Sequence, residues 1–311
     1  MPPPASALVL TAGLGTRLRP LTTVRAKTAM PVAGEPMIRR ILRWLVEHGV
    51  TDIVLNLHHL PQTISAVVGD GSDLRARVRY SWEQPRVLGA AGGPRQALPL
   101  LEAETFLLVN GDVLTEVDLQ GLTDSHRSSG ALATLALVPN TEFHRYGGVR
   151  LNDRHEIVGF VPRGQAAEGS YHFVGVQLVH ADVFRPLPTG QPANSIGGVY
   201  DELIKTRPGM IRGFVSAAAY WDVGTVQDYW RTSWALAEAS AGSTVPCGRG
   251  VRIDAASRVS RSILWDDVEV EAGCRLDECI VTDGVRVPRG VHLRRTILVR
   301  AAHGTHEAFP F

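Results

Sequence analysis

The 311-residue sequence predicts an α/β chain in which a mostly parallel, Rossmann-like sheet is followed by a short β-helix of hexapeptide repeats. Three observations predict this. Up to Val109, short apolar runs alternate with helical stretches, the order that puts helices on both faces of a parallel sheet. From about residue 250, aliphatic or cysteine residues recur every five to six positions, a spacing that suits neither a helix nor a simple strand. The length corresponds to roughly two domains.

Ala7-Leu-Val-Leu-Thr-Ala12 is a continuous apolar run ending at Gly13, suited to a strand buried on both faces. Met37, Ile38, Ile41, Leu42, Leu45 and Val46 recur at helical spacing and stop before Gly49, which predicts an amphipathic helix. Residues 52–57 read as a second strand, 61–68 as a short helix, 78–82 as a strand, 94–101 as a helix and 106–109 as a fourth strand. The loops at Gly13 and at Asn110-Gly111-Asp112 then line the crevice beyond the carboxyl ends of the strands, where sheets of this kind bind ligands. Strand candidates at 132–138, 148–151 and 173–179 extend the same sheet.

Ile253, Val259, Ile263, Val268, Cys274, Ile280, Val285, Val291 and Ile297 carry the period near six. In a triangular coil each side points one small apolar side chain inward, and roughly 18 residues per coil gives two to three coils here. A loose set of antiparallel strands is the alternative. A linker near residues 239–246, rich in alanine, serine and glycine, divides the chain into 1–240 and 247–311, with 301–311 as a capping tail.

A hydrophobic fraction of 44% and a charged fraction of 20% allow a real core and argue against disorder or a small disulfide scaffold. Lysine and arginine total 32 against 31 acidic residues, so no global field draws the chain to nucleic acid or an anionic membrane. Local charge must hold any anion. Arg17, Arg19, Arg25 and Lys27 lie in a segment with no acidic residue between Thr16 and Gly34, which is where anions are expected to bind. Cys247, Cys274 and Cys279 are an odd count without Cys-x-x-Cys spacing, which predicts reduced thiols, two of them packing at repeat positions. The N-terminus has no basic region before its apolar run, and that run is too short for a signal or a membrane span, so cytoplasmic residence is expected.

Gly13-Leu-Gly-Thr-Arg-Leu-Arg-Pro-Leu-Thr22 directly follows the first strand, and glycines there let backbone amides approach a phosphate. Leu18 breaks a G-x-G-x-x-G pattern and no Gly-Lys-Ser/Thr follows, so hydride transfer and simple NTP hydrolysis lose support. Two glycines, the Thr16 hydroxyl and the cations Arg17, Arg19 and Lys27 suit a polyphosphate.

The run from Leu10 to Thr22, followed by Lys27-x-x-Met-Pro-Val32, resembles the signature of the sugar-1-phosphate nucleotidyltransferases, the NDP-sugar pyrophosphorylases. Tyr80-Ser-Trp-Glu83, Leu88-Gly-Ala-Ala-Gly-Gly93, Val109-Asn-Gly-Asp112, Phe173-Val-Gly-Val176 and Trp221-Asp-Val-Gly-Thr225 occur in that family's order, so the resemblance covers nearly the whole chain. The terminal hexads are similar to those of mannose-1-phosphate guanylyltransferase-like members. The resemblance implies a sheet of the nucleotide-diphospho-sugar transferase type with a short left-handed β-helix. It also implies condensation of an NTP, GTP favoured, with a sugar 1-phosphate, Mg²⁺ as cofactor, and a homo-oligomer without nucleic-acid or membrane partners. By the same resemblance Leu10, Ala12, Gly13, Gly15 and Thr16 hold the nucleotide, Arg17 covers the departing pyrophosphate and Lys27 bridges toward the α-phosphate. Glu83, Gly89 and Gly92 fall in the stretch that meets the base, Gly147, Arg163 and Gly175 face the sugar phosphate, and Asp112 and Asp222 hold Mg²⁺; Arg17, Lys27 and Asp112 are the implied catalytic set.

Two departures stand out. The family has a Glu-Lys pair near Arg163, and Pro-Lys-Pro where this chain has Ala26-Lys27-Thr28, a loss that raises flexibility around Lys27. From the residues alone, Asp112 reads equally as a turn residue and Asp222 as a helix N-cap. Trp221, Tyr229, Trp230 and Trp234 read as core or domain interface, and His58-His59 as a loop pair rather than a metal site. A uridylyl- or thymidylyltransferase, or a catalytically weak NDP-sugar-binding regulatory subunit, are the competing functions.

Overall fold

The computed structural model describes residues 4, 6–241, 245–300 and 306–311; part of the expected linker and the start of the expected tail lie outside the described residues. Two compact units emerge, each gathered from separated stretches. One comprises Met1–Gly13, Ile41–Pro61 and Val68–Trp221; the other comprises Leu14–Arg40, Gln62–Val67 and Asp222–Phe311.

The first unit is built on a nine-stranded sheet. Strands β1 (Ser6–Leu10), β2 (Asp52–Leu57), β3 (Arg77–Trp82) and β4 (Thr105–Asn110) run parallel in the order β4-β1-β2-β3. Ala7, Leu8 and Val9 are each 0% exposed, which is why this strand reads as an unbroken apolar run rather than an alternating one. The later strands are β5 (Ala133–Pro139), β6 (Gly148–Leu151), β7 (Ile157–Val161), β8 (Tyr171–His180) and β9 (Ile211–Val215). They extend the same sheet as expected but make it mixed, because β8 runs antiparallel to both β4 and β5. Leu8, Val54, Phe106, Leu108, Leu135 and Phe184 meet in its core, each worth about 1.5–3 kcal/mol of burial.

Helices α1 (Met37–Glu47) and α2 (Pro61–Val68) lie where the periodicity put them. Gly49, at φ +81°, ends α1 in the left-handed conformation. Helix α3 spans Gly89–Ala97, so it begins five residues before the expected start at Pro94. Pro94 suggests a first-turn residue, yet the first turn is held earlier, with the Ala91 and Gly92 N–H groups donating to the Ala193 carbonyl at 2.9 and 3.2 Å. Helices α4 (Leu119–Ser129) and α5 (Tyr200–Thr206) complete the unit.

A buried histidine, His126, and a half-buried one, His172, make its stability pH-dependent. His126 packs against Thr134, its Nδ1 2.9 Å from Oγ1, and burial pushes its pKa down to about 4; His172, between Tyr146 and Tyr220, is lowered to about 4 in the same way. The unfolded chain therefore takes up protons that the folded chain refuses. Stability is fully present above about pH 6.5 and is lost as the pH falls toward 4. Thermal unfolding followed from pH 7 to 5 is expected to show a falling Tm, with a shallower slope in His126→Gln.

The second unit carries the repeats. Parallel ladders pair residues seventeen apart: Arg252 with Glu269 and Glu269 with Arg286, Arg258 with Arg275 and Arg275 with His292, Ile263 with Ile280 and Ile280 with Ile297. The coil is thus one residue shorter than the 18 expected, and the antiparallel alternative is excluded. Left-handed residues stack at the corners in the same period, at Gly250, Asp267 and Gly284, at Gly273 and Gly290, and at Arg261, Glu278 and Arg295. Val268, Cys274 and Val285 pack in the interior as expected. Ile263, Ile280 and Ile297 do not join that cluster; their neighbours Leu264, Val281 and Leu298 do, because adjacent strand residues face opposite ways. Ile253, at the open end, is 40% exposed.

The strand His306–Pro310 lies antiparallel on Thr296–Arg300, the part of the expected tail that is described. Helix α6 (Val226–Ala241) lies against the coils through Tyr229, whose hydroxyl accepts from Trp265 Nε1 at 2.8 Å, and Trp230, whose Nε1 donates to the Arg261 carbonyl at 2.9 Å. Tyr229 and Trp230 are therefore packing residues, as expected of them. All three cysteines are free, and no helix among the described residues is long and apolar enough to cross a membrane.

Candidate functional site

In the second unit, Gly15 takes φ +60° and opens the single turn Thr16–Leu18. Its carbonyl accepts from Leu18 N–H and Thr22 Oγ1, both at 2.9 Å. A Cβ on Gly15 would lie 2.7 Å from Thr22 Cγ2 and 3.4 Å from Lys27 Cβ, so only glycine lets the loop fold back on the lysine. Leu18 is fully buried and pins the turn, while Arg17 stays exposed. Lys27 heads a second turn, Lys27–Ala29.

Asp222 ends the short strand Tyr220–Asp222 and does not cap α6. Thr225 does: its Oγ1 accepts from the Asp228 N–H at 3.2 Å and donates to Asp228 Oδ2 at 2.8 Å. A Cβ at Gly224 would lie 3.3 Å from Asp222 Oδ2, 3.4 Å from Asp228 Oδ2 and 3.5 Å from Arg17 Nη1. One point thus borders two residues that the sequence separates by almost the whole α/β portion.

Arg25 departs from the expectation that this segment's cations face an anionic ligand. It is only 9% exposed and its guanidinium is taken by Asp266 and Asp283 of the coils. Burial works against ionisation of Asp266, yet the bonds from Arg25 and the Arg249 N–H hold its pKa below the ordinary value; at Asp283 burial wins and pushes the pKa up.

In the first unit, Leu10 packs against the main core and Gly13 faces open space. The Thr11 and Ala12 N–H groups donate to Asn56 Oδ1 at 2.5 and 3.3 Å. Asn56 Nδ2 in turn donates to Glu83 Oε1 at 2.7 Å, while Glu83 Oε2 accepts from the Leu88 N–H at 2.6 Å. Glu83 is 0% exposed and burial raises its pKa despite those donors; through Asn56 it ties the start of the Leu88–Gly93 stretch to the end of β1. Asn56 was not singled out from the sequence; the signal was there, a lone amide inside Ile-Val-Leu-Asn-Leu.

Gly89 and Gly92 begin α3, and a Cβ on either would strike the 191–193 backbone, at 2.8 Å from the Ala193 carbonyl and 2.4 Å from the Gln191 carbonyl. Gly147 and Arg163 come together, a Cβ at Gly147 lying 3.9 Å from the Arg163 nitrogen. Gly175 sits at an irregularity of β8 with φ +76°, 2.9 Å from Asn110 Cβ by the same measure, beside the turn that carries Asp112. Gly175→Ala is expected to cost about 1–3 kcal/mol, read by chemical denaturation, since the strained backbone and the displaced Asn110 act together.

A different ligand-type group, Glu104, His180 and Asp182, gathers in the first unit. It lies at the start of β4, the end opposite Asp112, and Arg185 forms ion pairs with both carboxylates. It reads as an ion-pair cluster.

Residues 6–239 match the family described as Nucleotidyl transferase, and residues 239–302 match the GlmU-like C-terminal hexapeptide family. The chain is 30% identical to a mannose-1-phosphate guanylyltransferase of Mycobacterium tuberculosis, over 85% of this chain and 80% of that one. It is 35% identical to an N-acetylmuramate alpha-1-phosphate uridylyltransferase of Neisseria meningitidis serogroup B, over 71% and 93%. Among solved structures, HddC from Yersinia pseudotuberculosis shares the fold, with a TM-score of 0.65 at 21% identity over 74% of this chain and 99% of that one.

Proposed function

Because the chain belongs to the nucleotidyl transferase family, we propose that it condenses an NTP with a sugar 1-phosphate, releasing pyrophosphate, and that it does so as a mannose-1-phosphate guanylyltransferase-like enzyme. The observation that carries this reading is Gly224, which the Arg17 guanidinium and the Asp222 carboxylate both border.

In the reaction a sugar-phosphate oxygen bonds to the α-phosphorus as the α–β anhydride bond breaks. No strong base is needed, so positioning and charge neutralisation do most of the catalysis. Backbone amides at Gly13 and Gly15 and the Thr16 hydroxyl hold the phosphates, Arg17 neutralises the leaving pyrophosphate, and Lys27 spans toward the α-phosphate. Glu83 and Asn56 fix the stretch with Gly89 and Gly92 against which the base lies; Gly147, Arg163 and Gly175 take the sugar side. The carboxylates of Asp112 and Asp222 are hard oxygen donors of the kind Mg²⁺ prefers, and the ion would supply further neutralisation of the phosphate oxygens. Residues 1–240 form the catalytic portion in this reading and the repeats of 247–311 join copies into a homo-oligomer. The balanced charge and free thiols support a cytoplasmic enzyme acting on small molecules.

Pyrophosphate release, assayed with each NTP against a panel of sugar 1-phosphates and Mg²⁺, tests the reading; no release with any pair overturns it. The 35% identity to a uridylyltransferase supports UTP as the second nucleotide. A thermal-shift comparison of GTP and UTP separates the two, since a ligand bound only by the folded state raises Tm.

A further inference from the structure

We infer that Arg25, clamped by Asp266 and Asp283, is a positioning residue for Lys27, which makes the repeat coils a working part of the transfer site. The inference rests on the role proposed above for Lys27.

The clamp is built in detail. Arg25 Nε donates to Asp283 Oδ2 at 2.6 Å and Nη2 to Asp283 Oδ1 at 2.7 Å, a two-pronged pair that fixes the plane of the guanidinium. Nη2 also donates to Asp266 Oδ2 at 2.7 Å, and the group lies 5.5 Å from the Trp265 ring centre. Asp266 and Asp283 hold the same position in successive coils, and the Asp266 N–H donates to Asp283 Oδ1 at 3.1 Å. Stacked like charges repel, so the two carboxylates form a seat that requires a cation between them.

The third edge of Arg25 faces the other way. Nη1 reaches the Ala29 carbonyl at 3.5 Å, the last residue of the turn that Lys27 opens. At the near end of the same turn the Ala26 N–H donates to Thr63 Oγ1 at 3.0 Å, a bond that proline at position 26 could not make. Lys27 is therefore held between two fixed points, one on α2 and one on the coils. These replace the stiffness that prolines at 26 and 28 would give. Because Lys27 Cβ also abuts Gly15, a turn that slips carries the lysine along the phosphate loop.

The test uses the full chain with Asp283→Asn, Asp266→Asn and Arg25→Lys, assayed for pyrophosphate release below the unfolding transition of each. Asp283→Asn and Arg25→Lys are expected to lower kcat about tenfold, the scale of an ångström-level misplacement, with KM for the sugar 1-phosphate within about twofold; Asp266→Asn, which leaves the two-pronged pair with Asp283 intact, loses less. A double-mutant cycle supplies the readout that mere stability would not move. In a Lys27→Ala background, Asp283→Asn is expected to bring no further loss of kcat. Full kcat in folded Asp283→Asn, or losses that simply add with Lys27→Ala, overturns the inference. If Asp283→Asn does not fold, Arg25→Lys, which keeps the charge and loses the fork, decides the same comparison. An unmodified chain that is inactive with every substrate pair would instead reject the proposed function, which separates the two failures.

Discussion

Arg17→Ala is expected to lower kcat/KM for pyrophosphate-releasing condensation by about 10³-fold, the loss typical when a preorganised cation is taken from a developing phosphate charge. The side chain is exposed and borders Asp222 at the Gly224 point, while Leu18 beside it is what anchors the turn. Removing the guanidinium should therefore leave folding intact, and Tm is expected to stay within about a degree because surface substitutions of this kind change stability little. Arg17→Lys keeps a charge without the two-pronged geometry and should recover only part of the rate. Steady-state kinetics with both substrates varied, alongside thermal unfolding, checks this. Unchanged kcat/KM in Arg17→Ala would remove the residue from the site.

The second large effect is on stability. Glu83→Ala strands two buried donors, Asn56 Nδ2 and the Leu88 N–H, and is expected to destabilise the fold by about 2–4 kcal/mol in chemical denaturation. Glu83→Gln does not rescue it. The amide oxygen can satisfy one donor, but its NH₂ then faces the other, because Asn56 Oδ1 is already committed to Thr11 and Ala12 and cannot turn. Both variants should also raise KM for the nucleotide, since the end of β1 and the start of α3 lose their common anchor. A Glu83→Gln protein as stable as the parent would show that the two oxygens are not both needed.

Much of this was legible in the sequence where a local rule decides the outcome. β1 and β2 are apolar runs with no competing period, and α1 has an unambiguous face and a glycine stop, so their places follow from pattern alone. The start of α3 was not legible, because its first-turn amides are satisfied by Ala193, a residue about a hundred positions away. The repeat was visible, but which of two adjacent aliphatics turns inward was not, because Ile263-Leu264 and Ile280-Val281 look alike in sequence and repeat at the same spacing. Arg25 shows the same limit at the site. A run of cations without acids invites an anionic ligand, and only tertiary structure reveals that one of them already has two carboxylates from the far end of the chain.

That last pairing has a consequence for how the molecule is made. Arg25 leaves the ribosome early, whereas Asp266 and Asp283 are 241 and 258 residues downstream. Most of the α/β strands can pair as they emerge, yet the turn that carries Lys27 gains its second fixed point only when nearly the whole chain exists, and contacts of such separation are the slow ones to close. Competence for catalysis should thus trail behind the formation of the sheet, so that an unfinished chain is folded in part and idle.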